Sequence, residues 1–171
     1  MYSTPEQILI MKAYEIISEV KPIIARKYGI EPVSPKITIS NKMKVVFGHA
    51  SFKSGLYTIK LSGYVYLGNE NTAAYRNTVI HEYMHLMEYQ ILGKMSHDMF
   101  WVSLMELCGE KAMRNPSVEK KEEVGYNYIR KTRKIYEHLC GCKTHMVGIK
   151  IHNKILKGAK YKCLACKTHL S

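Results

Sequence analysis

The chain has 171 residues, 46% of them hydrophobic, with 26 Lys/Arg against 14 Asp/Glu and a formal net charge of +12. That length suits one compact domain plus a small appended module, and the apolar content is enough for a real core, so global disorder is excluded. No apolar run approaches the roughly 20 residues that span a bilayer, and Pro5, Glu6, Glu15 and Glu19 break any uncharged secretory segment. No membrane partner and a cytoplasmic location are therefore expected, nucleoid-associated or nuclear if the source is eukaryotic.

Residues 5–28 carry Ile8, Met11, Ile16, Val20, Ile23 and Ile24 near helical spacing behind Thr4–Pro5, which predicts an amphipathic helix. Pro32 and Pro35 close that region. Short strand-like runs follow at 36–40, 44–47 and 57–62, the last with Tyr57, Ile59 and Leu61 alternating against polar residues. Gly63 sets off a further run at 64–67. Asn69, Asn71 and Thr72 offer caps for a helix over 73–92, stopped by Gly93. A second helix is expected over 99–113, ended by Asn115–Pro116. Residues 117–134 read as a helix or a basic linker. The last stretch, 135–171, is short, basic and framed by cysteines, with a hairpin expected to turn at Lys157–Gly158.

Positive charge is concentrated at one end. Residues 1–123 hold 15 Lys/Arg and 13 Asp/Glu, whereas residues 124–171 hold 11 Lys/Arg and only Glu137. A one-signed field of this kind attracts polyanions, nucleic acid first among them. Arg130, Lys131, Arg133, Lys134, Lys154 and Lys157 are the candidate contacts. Tyr126, Tyr128, Tyr136 and Tyr161 lie among the basic residues and offer faces on which bases of single-stranded DNA can stack.

Two constellations carry chemistry. The first is His81-Glu-Tyr-Met-His85 within the expected 73–92 helix. Four-residue spacing puts both imidazoles on one helix face, where they can share one Zn²⁺. Glu82 stands beside them, uncoordinated, able to reach a water on the metal as general base. A catalytic zinc needs a third protein ligand. Glu88 and Ile91 exclude the metzincin continuation. His97, on a short return after Gly93, is the favoured third ligand. Glu106 and Glu110 on the next helix are the alternatives, and Glu106 is otherwise a candidate to orient an imidazole.

The second constellation is Cys140-Gly-Cys142 and Cys163-Leu-Ala-Cys166. Four thiolates at such spacing close a tetrahedral structural site. A module of about 35 residues cannot bury enough surface to fold unaided, so the metal would supply its stability. His145 could substitute for one thiolate. Cys108, alone among apolar neighbours, reads as a small core residue.

Together these residues resemble the SprT-like metalloproteases, whose eukaryotic relative is Spartan. Ile80-His-Glu-Tyr-Met-His85 is similar to the family's HExxH helix. Ser96-His-Asp-Met-Phe-Trp101 is similar to its third-histidine segment, with Asp98 where the family usually has Gly. Tyr136, Cys140, Cys142, Tyr161, Cys163 and Cys166 resemble its zinc ribbon, and His152–Gly158 the basic hairpin between the ribbon's cysteines. The resemblance implies an α+β, zincin-like protease domain (N-terminal helix, small sheet, active-site helices) with a C-terminal four-cysteine ribbon. It also implies a catalytic zinc on His81, His85 and His97, Glu82 as catalytic residue, and a structural zinc on the cysteines. The expected organisation is a protease domain over 1–116, a basic linker or helix over 117–134, and a ribbon over 135–171. In Spartan-type members the activity is DNA-stimulated cleavage of proteins crosslinked to DNA. The expected function is thus a zinc-dependent endopeptidase acting on DNA-bound or DNA-crosslinked proteins. The alternative is a non-proteolytic, zinc-stabilised nucleic-acid-binding protein, in which Glu82 would have no task.

Overall fold

The structure is a computed structural model, and it describes residues 3–115, 118–126 and 134–170. The chain divides into two compact units, Met1–Tyr128 and Ile129–Ser171.

In the first unit, α1 (Pro5–Tyr28) starts in a capping box between Thr4 and Gln7 and ends at Gly29 in the left-handed conformation. Its buried stripe, Leu9, Ala13, Ile16, Ile17, Val20 and Ile24, faces the core. Three strands follow: β1 (Lys36–Ser40), β2 (Gly48–Lys53) and β3 (Leu56–Ser62). Their order is β1-β3-β2, with β1 parallel and β2 antiparallel to β3. Ile37 and Ala50 flank Ile59 across the sheet, and Ile39 and Gly48 flank Leu61. The central strand thus carries the fully buried side chains Ile59 and Leu61, and β2 forms one edge.

Helix α3 (Ala73–Leu92) runs through the core and buries residues on almost every side, including Tyr75, Val79, Ile80, Tyr83, Met84, Leu86 and Met87. Helix α4 (Met99–Leu107) packs on it through Trp101, Leu104 and Met105. Short α5 (Val118–Glu123) is tied to the start of α3, because the Glu123 carboxylate accepts the backbone N–H groups of Ala73 and Ala74, both at 2.8 Å. These are unsatisfied donors of the first helical turn, and a carboxylate there also meets the positive end of the helix dipole.

The second unit holds a hairpin, β4 (Ile135–Leu139) with β5 (Thr144–Gly148), then α6 (Ile149–Leu156). Tyr136 stacks on His152 with ring centroids 3.8 Å apart, and His138 Nε2 lies 3.0 Å from His152 Nδ1. No described helix is long and apolar enough to cross a membrane.

Four expected elements differ. Residues 44–47 are not a strand; the edge strand lies at 48–53, and Ser54 and Gly55, both at positive φ, turn it into β3. Residues 64–67 are not a strand either. The Ser62 hydroxyl accepts the Val65 N–H and starts the one-turn helix α2 (Gly63–Tyr66). Helix α4 stops at Leu107 rather than near 113, because left-handed Gly109 lets Gly109 N–H reach Glu106 O and Glu110 N–H reach Met105 O. The same pattern overturns the hairpin expected at Lys157–Gly158. Gly158 and Ala159 donate back to Ile155 and Lys154 and terminate α6. The hairpin of this unit lies instead across Cys140–Cys142.

Candidate metal centres

The 3.6-residue period of α3 places His81 and His85 on one face, one turn apart, with ring centroids 5.0 Å apart. Left-handed Gly93 then reverses the chain, and the return segment brings His97 back over that face. His97 Nε2 lies 3.2 Å from His81 Nε2 and 3.2 Å from His85 Nε2. Trp101 is the common floor, its ring 4.7 Å from that of His81, 5.4 Å from His85 and 4.6 Å from His97. Asp98 fixes the entry to α4, accepting the N–H groups of Phe100 and Trp101 while Lys94 donates to its other oxygen. An aspartate at this position is therefore a helix cap.

The donor set fits a cation. Burial first, then the mutual repulsion of the imidazoles, holds His81 down to about 3; burial and His97 hold His85 down to about 4, and His97 is also lowered. The rings are thus neutral near pH 7, as metal ligation requires. His81 hydrogen-bonds the Met113 backbone. The Glu88 carboxylate lies 3.9 Å from His85 Nδ1. Both contacts favour the proton on Nδ1 and a lone pair on Nε2. Converging lone pairs cannot all be satisfied by one another, and His97 can donate to only one of them. Tetrahedral zinc with Zn–N near 2.0–2.1 Å would separate its nitrogens by about 3.3 Å, close to the spacing found. His81, His85 and His97 can therefore hold a metal ion.

Glu82 is buried at the side of the triad, in a cleft of about 260 Å³ lined by Gly48, Thr78, His81, Glu82, Met113 and Lys120 among others. Desolvation lifts its carboxyl to about 7, opposed by a hydrogen bond from the Ala50 backbone and by the Lys120 charge. Edge strand β2 presses close. A Cβ on Gly48 would meet Glu82 Cγ at 2.6 Å, so only glycine leaves the carboxylate where it is. Burial in turn lowers Lys120 to about 8.

Neither alternative third ligand takes part. Glu106 is exposed on α4, and Glu110 binds Arg76 and Asn77. The carboxylate beside the histidines is Glu88, fully buried, accepting the Ser96 N–H at 2.6 Å and the Ser96 hydroxyl at 2.5 Å. It anchors the segment that delivers His97 while facing His85. Sequence reasoning used Glu88 only to exclude a motif. The available signal was a charged residue on the buried side of a helix, which is rare unless it is paired.

In the second unit, the Sγ atoms of Cys140, Cys142, Cys163 and Cys166 all lie within 4.8 Å of one another. Cys140–Cys142 is 3.5 Å and Cys142–Cys163 is 3.7 Å, against about 3.8 Å for the edge of a tetrahedron with Zn–S of 2.3 Å. These four also can hold a metal ion. The Thr168 hydroxyl, 2.8 Å from Cys166 Sγ, holds that thiol down to about 6, and the Thr168 carbonyl accepts the Cys163 N–H. His145 Nε2 lies 3.2 Å from Cys140 Sγ, beside the cluster. Of the basic candidates, Lys134, Lys154 and Lys157 are exposed, whereas Arg130, Lys131 and Arg133, with Tyr128, lie outside the described residues.

Because Glu88 faces one ligand and anchors the segment that bears another, Glu88→Ala is expected to weaken metal binding at the histidines by about 10- to 100-fold and to leave the thiolate site unchanged. Cobalt(II) titration, which separates thiolate from imidazole sites by absorption, measures this. Unchanged affinity at the histidines would remove Glu88 from the site.

The model of the SprT-like family matches residues 15–122. Protein SprT of Vibrio parahaemolyticus is 33% identical over 141 residues, covering 80% of this chain and 78% of that protein. Protein SprT of Vibrio atlanticus is 28% identical over the same shares. Protein SprT of Shewanella oneidensis is 31% identical over 60% of this chain and 63% of its own length. No solved structure matches. A family match that spans α1 to α5 and includes all three converging histidines, joined to this similarity over most of the chain, places the protein in the SprT-like family.

Proposed function

We propose that the protein is a zinc-dependent endopeptidase of the SprT type, DNA-associated and acting on DNA-bound or DNA-crosslinked proteins. The observation that carries the peptidase reading is the convergence of three imidazole Nε2 atoms beside a buried carboxylate that opens into a cleft. Zinc, when bound, supplies a Lewis acid that makes water nucleophilic near neutral pH.

The chain's own residues do the rest. Glu82 accepts the proton of the attacking water as the new C–O bond forms, and returns it to the amine nitrogen as the C–N bond breaks. The Ala50 N–H and the steric limit at Gly48 keep its carboxylate aimed. Gly48, the first residue of edge strand β2, lines the cleft, so the open edge of the sheet begins at its wall. An open edge accepts an extended chain by main-chain hydrogen bonds, which suits an unfolded stretch of protein as substrate. A purely structural metal site would have no use for Glu82, which weighs against a non-proteolytic nucleic-acid-binding protein.

The DNA association rests on charge. Residues 124–171 carry 11 Lys/Arg against one Glu, and a second metal, structural and zinc by its four thiolates, would hold that part of the chain together.

Glu82→Gln is expected to keep the fold and both metals and to abolish cleavage of a disordered protein, measured by gel and by metal analysis. Retained cleavage would refute Glu82 as base. Affinity for single-stranded DNA is expected to fall steeply with salt and to drop when Arg130, Lys131, Arg133 and Lys134 are neutralised. Salt-independent binding, or none, in a fluorescence anisotropy titration would leave a peptidase without a nucleic-acid role.

A further inference from the structure

The cleft contains a half-buried cation to which neither the family motifs nor the chemistry above gives a task. Lys120 sits on α5, outside both sequence motifs, yet its side chain lines the cleft that also holds His81 and Glu82. It is not a loosely tethered surface lysine. Its Nζ donates to Asn77 Oδ1 at 2.9 Å, and Asn77 Nδ2 in turn donates to Glu110 Oε2 at 2.9 Å. Glu110 is held by Arg76, which also pairs with Glu19 of α1. One turn further along α5, Glu123 grips the N-terminus of α3. Lys120 is therefore fixed, through side chains and backbone, to the same helix that carries His81 and Glu82. Among the described residues lining the cleft, Arg114 is the other cation, but it is exposed and sits in a bend.

Hydrolysis gains from such a group in addition to a metal. When water adds to a scissile carbonyl, the C=O electron pair moves onto oxygen and a negative charge develops there. Glu82 handles the proton and cannot stabilise that charge. A fixed donor in a partly dry cleft can, because its orientation is set before the reaction and the low dielectric strengthens its field. An ammonium carries a full positive charge and several N–H donors, and Asn77 fixes this one in place.

We propose that Lys120 is a catalytic residue that stabilises the oxyanion formed as water adds to the scissile peptide carbonyl. This inference rests on the peptidase reading. Collapse of the adduct restores the carbonyl, breaks the C–N bond and returns the proton from Glu82 to the leaving amine, so Lys120 begins and ends the cycle charged.

The test compares the full-length, zinc-loaded protein with Lys120→Gln and Lys120→Arg on an internally quenched peptide. Gln keeps a donor for Asn77 and loses the charge; Arg keeps the charge. The expected result for Lys120→Gln is a fall in kcat of about 100-fold or more, with KM within about threefold, no displacement of the pH–rate profile, and partial rescue by Arg. Binding of a peptide phosphonate, which imitates the charged adduct, is expected to weaken in parallel in calorimetry, while the affinity for the product peptides holds. Zinc content and melting temperature of each variant establish that the fold survives, and if Gln fails to fold, Lys120→Arg and the phosphonate titration of wild type with and without 0.5 M salt decide. Equal kcat in wild type and Lys120→Gln overturns the assignment, as does a rise in KM alone or a loss confined to a displaced pH profile. A loss seen in Arg114→Gln but not in Lys120→Gln overturns it in favour of the other cation. If zinc-loaded wild type cleaves nothing, the peptidase reading falls and takes this role with it. If wild type cleaves and Lys120→Gln cleaves equally well, only the role of Lys120 falls.

Discussion

Three neutral imidazoles point their Nε2 lone pairs at a common centre, 3.2 Å from one another along two edges. Such an arrangement is unfavourable by itself, since lone pairs repel and His97 can donate to only one neighbour. It becomes favourable when a cation takes the centre. Much of the first unit is arranged to impose it. Trp101 supplies a flat apolar floor for all three rings. The Met113 carbonyl and the Glu88 carboxylate face the outer nitrogens of His81 and His85. The cost of burying Glu88 is offset by two hydrogen bonds from Ser96, which in turn set the position of His97.

The remainder of the unit serves the groove beside that centre. Strand β2 opens with Gly48 on the cleft, where any side chain would displace Glu82. The same thin edge gives Glu82 a backbone donor. On the far wall, α5 is only six residues long, yet it is locked to α3 at two points, Glu123 and Lys120. A short helix whose described side chains, 119–123, are all charged is thus positioned by polar contacts, and it brings a cation to the cleft.

The helices that carry the chemistry were legible in the sequence because their signals are local. The i, i+4 histidines, the Thr72 cap and Gly93 all lie within one helix, and His97 follows after a short return. The paired cysteines are legible for the same reason. What escaped depends on contacts between distant residues or on ambiguous glycines. The run Tyr64–Leu67 is apolar enough for a strand, but the Ser62 cap decides for a helical turn. Gly109 and Gly158 close helices through the same backbone motif, and nothing nearby separates a helix-ending glycine from a turn glycine. Strand β2 escapes because it opens on Gly48, a poor strand residue whose reason, Glu82, is brought close only by the fold. In the sequence Glu88 serves only to exclude a motif and Lys120 carries no signal, because their partners Ser96 and Asn77 are set by the fold.

The central claim is that His81, His85 and His97 bind one zinc ion with a coordination position left for water. Zinc K-edge absorption spectroscopy on the protein with Cys140, Cys142, Cys163 and Cys166 replaced by serine tests it most directly. One zinc with three nitrogen neighbours near 2.0 Å and one further oxygen is expected. Absence of zinc from the folded variant, or a shell filled by four protein side chains, would contradict it.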